Sequence, residues 1–383
     1  MPTLIQWTHL INETTNYIGD SWNPITGCNK RSPACNRCYA ISQSKGLNDK
    51  LNHKTSRYQV FDESEYNWNG QIILSENLLL KGILSKNKKP KAYFVCSISD
   101  IGLGDKYDLK SGLSVSLVGS SFQEEDELFF NEYDEAYHRI YPQDINPNKK
   151  RFDMMRDFIF ATICMSYIYS GNEQNKFLFV TKRPDVLREY LENLDTDNGY
   201  ARLAAVAKSL LKNNYSDLSR DYQNLCDYFL TTITNVSLAN KFQRNLEKIL
   251  NHAVWLGVTV ESQAFMNRLD QLLSIPYGQK HFVSAEPLLT ELDFGDRKFD
   301  WLLLGGESGP PNSIRETPIT TFTETISNAR KLKSPPAIFV KQMGTLLGRR
   351  YPNQDKKGGN YKAFPPEIKI QEFPTFQEFP TFD

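Results

Sequence analysis

Residues 301–310 read WLLLGGESGP, an apolar run that stops abruptly at two glycines, a glutamate and a serine. Five other runs share this design: AYFVCSISD (92–100), KFLFVTKRP (176–184), VWLGVTVES (254–262), HFVSAEPLL (281–289) and AIFVKQMG (337–344). Each is rich in Val, Phe, Leu and Ile and is bounded by Gly, Pro or charge. Buried helix segments are the competing reading, but the runs are too short and too β-prone to suit it. They read as strands covered on both faces, the mark of a parallel sheet. Between them lie stretches with helical spacing: 151–169, 184–212 (opening on a proline suited to a first turn), 263–273 and 318–332. This alternation predicts an α/β chain folded as a complete or partial parallel (β/α) barrel. A short strand before residue 28 adds to the six runs, and the polar strand ends should converge on one face, where barrel enzymes place their chemistry.

Two segments interrupt the pattern. Residues 101–150 are loop-like, acidic at QEEDELFFNEYDEAY (123–137) and basic near 146–151, and read as an insertion or a disordered loop. QEFPTF occurs in tandem at 371–376 and 377–382, and two units this short cannot bury a core. The expected organisation is therefore one barrel domain over 1–344, inserted at about 101–150, with a C-terminal extension over 345–383. Residues 213–250 form a polar helical stretch without a clear role.

Lys+Arg and Asp+Glu both number 45, so no global charge favours a nucleic acid or a membrane. A local basic groove stays open. No apolar run reaches the ~18 residues that span a bilayer, and MPTLIQWTHLINETTN lacks the pattern of a signal peptide. The expectation is a cytoplasmic protein with no membrane partner. Dinucleotide, P-loop, zincin and serine-elbow motifs are missing from the sequence.

Three of the six cysteines, Cys28, Cys35 and Cys38, cluster in SWNPITGCNKRSPACNRCYA, while Cys96, Cys164 and Cys226 are scattered. Clustered thiols in such a chain point to a metal rather than to disulfides. Structural zinc takes four protein ligands, and nothing nearby supplies the fourth at finger spacing. His53 is the closest histidine, and Cys96 ends a predicted strand. Three thiolates instead suit a [4Fe–4S] cluster with one iron open, where S-adenosylmethionine could bind.

WNPITGC-x6-C-x2-CYA resembles the signature of a phage- and bacteria-associated, radical-SAM-like family of unassigned function. FVTKRP, WLGVTVES, FVSAEPLL, WLLLGGESGP and FVKQMG follow in that family's order, so the resemblance spans roughly residues 21–344. It implies a barrel of radical-SAM type, a [4Fe–4S] cluster on the three cysteines, S-adenosylmethionine chemistry and an external electron donor. It implies no substrate. Familiar radical-SAM enzymes use C-x3-C-x2-C with an aromatic before the last cysteine; here the first gap is six, that neighbour is Arg37, and the aromatic is Tyr39 on the other side. The insertion and the tail also depart from the family pattern.

A parallel sheet would bring Ser99, Asp100, Lys182, Arg183, Glu261, Glu286, Gly305, Gly306, Glu307 and Lys341 around one opening. Carboxylates and cations together suit the zwitterionic S-adenosylmethionine. Gly305 and Gly306 are expected to let backbone approach a ligand, with Glu307 pointing inward. The plainer alternatives are a strand-to-loop turn at GGES, ion pairs of Glu261 and Glu286 with Lys182 or Arg183, a salt bridge closing the barrel at Lys341, and a local cap at Asp100. The leading expectation is an enzyme that reductively cleaves S-adenosylmethionine to act on an unidentified substrate. Its rivals are a non-catalytic module stabilised by zinc or iron–sulfur, working with a neighbour-encoded partner in phage–host conflict, and a nucleic-acid modification or repair enzyme. The last would use Tyr39, Lys45, Arg57 and Lys149–Arg151.

Overall fold

The computed structural model describes residues 5–11, 15–50, 58–62, 64–75, 78–79, 89–118, 133–138, 147–169, 173–213 and 234–377. All six apolar runs form strands, and a seventh precedes the cysteine loop. They are β1 (Ile18–Trp22), β2 (Lys91–Val95), β3 (Lys176–Thr181), β4 (Val254–Thr259), β5 (Lys280–Ala285), β6 (Trp301–Gly305) and β7 (Ala337–Gln342). They stand in sequence order in one seven-stranded parallel sheet, curled into a half-barrel. This is the partial form of the expected β/α barrel.

Period-two alternation separates the two faces of the sheet. Phe177, Phe179, Val283, Leu302 and Leu304 belong to the large core, together with apolar residues of α3 (Pro147–Tyr169), α4 (Pro184–Leu194), α5 (Asp197–Asn213) and α6 (Asn235–Ala253). The alternate residues Ala92, Leu178, Trp255, Phe282, Trp301 and Phe339 form a second cluster on the other face. Register explains its layering: Phe282 pairs with Trp301, and one pleat further on Ser284 pairs with Thr259 and Leu303. The inner face is therefore aromatic towards the strand N-termini and polar towards their C-termini.

The N-terminal segment and the C-terminus complete the aromatic end. Trp7 lies 4.8 Å from Phe94 and 6.1 Å from Trp301, ring centre to ring centre. Residues 345–377 pack on the same body and do not hang as a tail. Val340 N–H donates to Ile370 O at 2.9 Å and Glu372 N–H to Ile338 O at 2.8 Å, so this segment covers the free edge of β7. The first QEFPTF copy supplies Phe373, 5.7 Å from Trp301, and Phe376, 5.0 Å from Trp255. The second copy lies outside the described residues apart from Gln377. A repeat too short for its own core is here absorbed into another one.

Three further expectations change. The helix expected over 184–212 is two helices, because Asp195 ends α4 and the Thr196 hydroxyl caps α5 by accepting from Gly199 N–H at 3.2 Å. Residues 213–250 reduce, where described, to α6, opened by the Thr234 cap on Ser237 N–H. The expected insertion divides as well. Its described start holds α2 (Lys106–Lys110) and the strand Ser114–Val118, which pairs in parallel with Gln71–Ser75, itself paired to Ile25–Thr26. Much of 119–146, Arg57, His53 and Cys226 lie outside the described residues. Among the described residues no helix is long and apolar enough to cross a membrane.

Candidate functional site

The cysteine loop leaves β1, passes through Ile25–Thr26 and reaches α1 (Tyr39–Lys50) by a 3-10 turn over Pro33–Arg37. Gly27 makes the approach possible. Its φ is +88°, and a Cβ there would stand 2.1 Å from the Gln71 carbonyl. Cys28 and Cys38 are partly covered and Cys35 is buried. Cys28 and Cys38 pack against a small cluster that includes Ala40, Ile41, Trp68 and Ile98. The three thiols are electrostatic neighbours. Burial raises the Cys28 thiol most, Arg183 opposes it, and Asp100, Cys35 and Cys38 raise it further. Cys38 is raised by burial, against the Ala40 N–H, and again by Cys35. Among the described residues, no group of three or more His, Cys, Asp or Glu stands ready to hold a metal ion.

The loop is fastened to the C-terminal ends of four strands. After β2 the chain turns, so Ser97, Ser99 and Asp100 lie beyond the strand. The Ser99 hydroxyl donates to Gly27 O at 2.6 Å and the Tyr39 hydroxyl to Ser97 O at 2.5 Å. After β3, the fully buried Arg183 donates to Asn29 O at 3.1 Å, to Asp100 at 2.8 Å and to Asp108 at 2.9 Å, and its Nε stands 2.7 Å from the other Asp108 oxygen as an ion pair. Asp100 also accepts from the Thr181 hydroxyl and from the Gly102 and Lys182 N–H groups. Burial pushes its pKa up, but Arg183 and these donors hold it below the usual carboxylate range. Beyond β4, Glu261 accepts from Arg268 at 2.9 Å and Lys182 at 3.3 Å, and the loop's Ser32 is close enough to favour its ionised form. Beyond β6, Glu307 takes three donations from Arg315 at 2.6–2.9 Å, with Arg37 of the loop at 3.6 Å.

The residues expected to hold a cofactor thus separate into two groups. Ser99, Asp100, Arg183, Glu261 and Glu307 are committed to one another and to the loop; they position it. Lys182, Glu286 and Lys341 stay at the mouth, their side chains 18%, 16% and 29% exposed. Glu286 pairs with Lys341 at 3.0 Å, and the buried hydroxyls of Thr259 and Ser284 lie in the same layer. Glu261 makes the expected ion pair with Lys182, Glu286 pairs with Lys341 instead, and neither pairs with Arg183. A Cβ on Gly306 would stand 2.0 Å from the Met343 carbonyl and one on Gly305 3.0 Å from Glu286, so both make room for protein. Asp100 caps its own turn through Gly102, while the helix that follows is capped by Asp105.

Cys96, the candidate fourth ligand, is buried in the large core, where burial raises its thiol, the Ile25 backbone opposes the shift and Asp100 adds to it. Lys149 and Lys150 pair with Glu189 and Asp134, away from the mouth. Asp105 and Asp108 were missed in the sequence, although D-x-x-D before a short helix is a capping signal. Asp105 accepts from Tyr107 and Asp108 N–H and pairs with Arg31 of the loop.

A family model described as "Protein of unknown function (DUF5131)" matches residues 12–106 and 152–361, most of the chain. The chain belongs to the DUF5131 family. The DUF5131 match holds the cysteine loop, every strand end described above and the chain as far as 361, and it omits 107–151, where the sequence suggested an insertion. No curated protein and no solved structure matches the chain.

Proposed function

We propose that this DUF5131 chain is a radical-SAM-like iron–sulfur enzyme, with a [4Fe–4S] cluster on Cys28, Cys35 and Cys38 and S-adenosylmethionine in the mouth of the half-barrel. The support for this reading is the C-x6-C-x2-C spacing that puts Cys28, Cys35 and Cys38 on one short loop, beside a mouth that carries Lys182, Glu286 and Lys341. The donor set fits the group, since three thiolates are soft ligands and leave one metal position for a substrate. A cluster of this kind supplies reductive cleavage of the sulfonium C–S bond. The chain supplies the rest. Lys341 and Lys182 offer charge to the amino-acid carboxylate, Glu286 to its ammonium, and Thr259 and Ser284 offer hydroxyls. The Arg183 and Glu307 clamps hold the loop in one place, which preorganises the thiols.

Iron and acid-labile sulfide measured on anaerobically prepared protein test the cluster. The expectation is about four of each per chain, lost in the Cys28→Ala, Cys35→Ala and Cys38→Ala variants. A deoxyadenosine assay after reduction tests the chemistry. One zinc per chain with tetrahedral sulfur ligation would instead favour the non-catalytic module.

A further inference from the structure

Five large apolar side chains are exposed among the described residues, and three of them are tyrosines at the cysteine loop: Tyr39 at 54%, Tyr66 at 43% and Tyr107 at 55%. The other two, Ile11 and Val236, belong to other parts of the chain. Each tyrosine is fixed. Tyr39 is tied to Ser97 O, although more than half of the residue faces solvent. The Tyr66 hydroxyl contacts Ser42 at 2.6 Å and Cys38 O at 3.2 Å. Tyr107 carries the Arg31 guanidinium 4.6 Å from its ring centre and the Lys106 ammonium at 5.2 Å. Exposed rings held rigidly lose little entropy when something stacks on them.

The charge of the cysteine loop itself is one-sided, while Asp62 and Glu65 flank Tyr66 and Asp105 and Asp108 flank Tyr107. From Cys28 to Tyr39 the loop has Lys30, Arg31 and Arg37 and no acidic residue, although the whole chain is neutral. Arg31 is paired with Asp105, and Arg37 is loosely paired with Glu307 and 41% exposed. Lys30 reaches the Tyr66 carbonyl at 3.2 Å, and Lys106 stands beside Tyr107 without an ion pair among the described residues. Flat aromatic faces alternating with cations, and no aliphatic patch between them, match stacked bases on a phosphate chain. A peptide groove would be more apolar and more concave.

We propose that the rim of the cysteine loop binds a single-stranded nucleic acid, with bases on Tyr39, Tyr66 and Tyr107 and phosphates near Lys30, Arg37 and Lys106. That such a strand is the substrate rests on the enzyme reading above; the binding itself does not.

The test is fluorescence anisotropy of a labelled oligothymidylate with the full-length protein, alongside the matching duplex and polyglutamate. Iron and sulfide are measured on the same preparation. Three phosphate contacts give a single-strand salt slope near −2, so affinity should fall about twentyfold from about 50 to 200 mM salt. Tyr107→Ala and Tyr39→Ala should each weaken binding about tenfold, while Tyr107→Phe and Tyr39→Phe, which keep the ring, should stay within about twofold. Saturable binding by protein without iron supports the inference and counts against the cluster. Iron-loaded protein that does not bind at low salt overturns it. So do folded Ala variants that bind like the parent, and a preference for polyglutamate.

Discussion

The two ends of the half-barrel are made by the same seven strands and are chemically opposite. At the N-terminal end the inner face is closed by Trp7, Trp255, Phe282, Trp301, Phe339 and Phe376. One pleat or two further along each strand, the same face carries Thr259, Ser284, Glu286 and Lys341, and the cysteine loop stands above it. One end is held by close packing of rings, an interaction without direction that tolerates no gap. The other is held by directed ion pairs around Arg183 and Glu307, each requiring its partner. Stability and function should therefore separate along the strand axis.

Trp301→Ala should break the closed end most severely. The ring touches the N-terminal segment, the sheet and residues 372–373, and its Nε1 donates to Glu372 O at 2.9 Å. A loss of about 3–5 kcal/mol in urea unfolding is expected, with iron bound per folded chain unchanged. Arg183→Met should strike the mouth with similar force, about 3–5 kcal/mol, because it leaves Asp100 and Asp108 buried without their cation. Here iron loading should fall too, and Arg183→Lys should not restore it, since a single ammonium cannot reach Asn29, Asp100 and Asp108 together. If Arg183→Met unfolds like the parent, the clamp is not what holds the loop.

Acid should separate the ends by a smaller amount. Burial raises Asp100, Glu261 and Glu307, but their cations and hydrogen bonds leave all three below the ordinary range. A carboxylate with a depressed folded pKa stabilises fully above its unfolded value, about 4, and that stabilisation is lost as pH falls through the folded value. Below about pH 4, fluorescence of a label on the loop should change before the tryptophan emission of the aromatic end; a single concerted transition would deny the separation. Lys341→Met should be the mildest change, under about 1 kcal/mol in stability because the pair is partly exposed. Its effect should show in S-adenosylmethionine affinity instead, measured by calorimetry on reconstituted protein.

Much of this was legible in the sequence because it is local. Six apolar runs of strand length, each ending in polar residues, announced the strands and the common edge of their ends. The three cysteines announced their loop by spacing. Asp105 could have been found by its capping signal. The ten residues expected around the opening divide in a way the sequence does not show, since a carboxylate at a strand end has the same letter whether it faces a cofactor or an arginine. Lys182, Glu286 and Lys341 face the mouth, and Asp100, Arg183 and Glu307 are spent on the loop.

The sequence by itself determined the strands, their parallel order and the three-thiol loop, because apolar patterning and short spacing act within a few residues of the chain. The tertiary structure alone decided that Phe373 and Phe376 belong to the core and that Gly306 makes room for the Met343 carbonyl. It also decided that Arg183 ties Asn29 to Asp108. Those are contacts between segments far apart in the chain, and a contact of that kind is set by how the sheet curls, which no single stretch of sequence encodes.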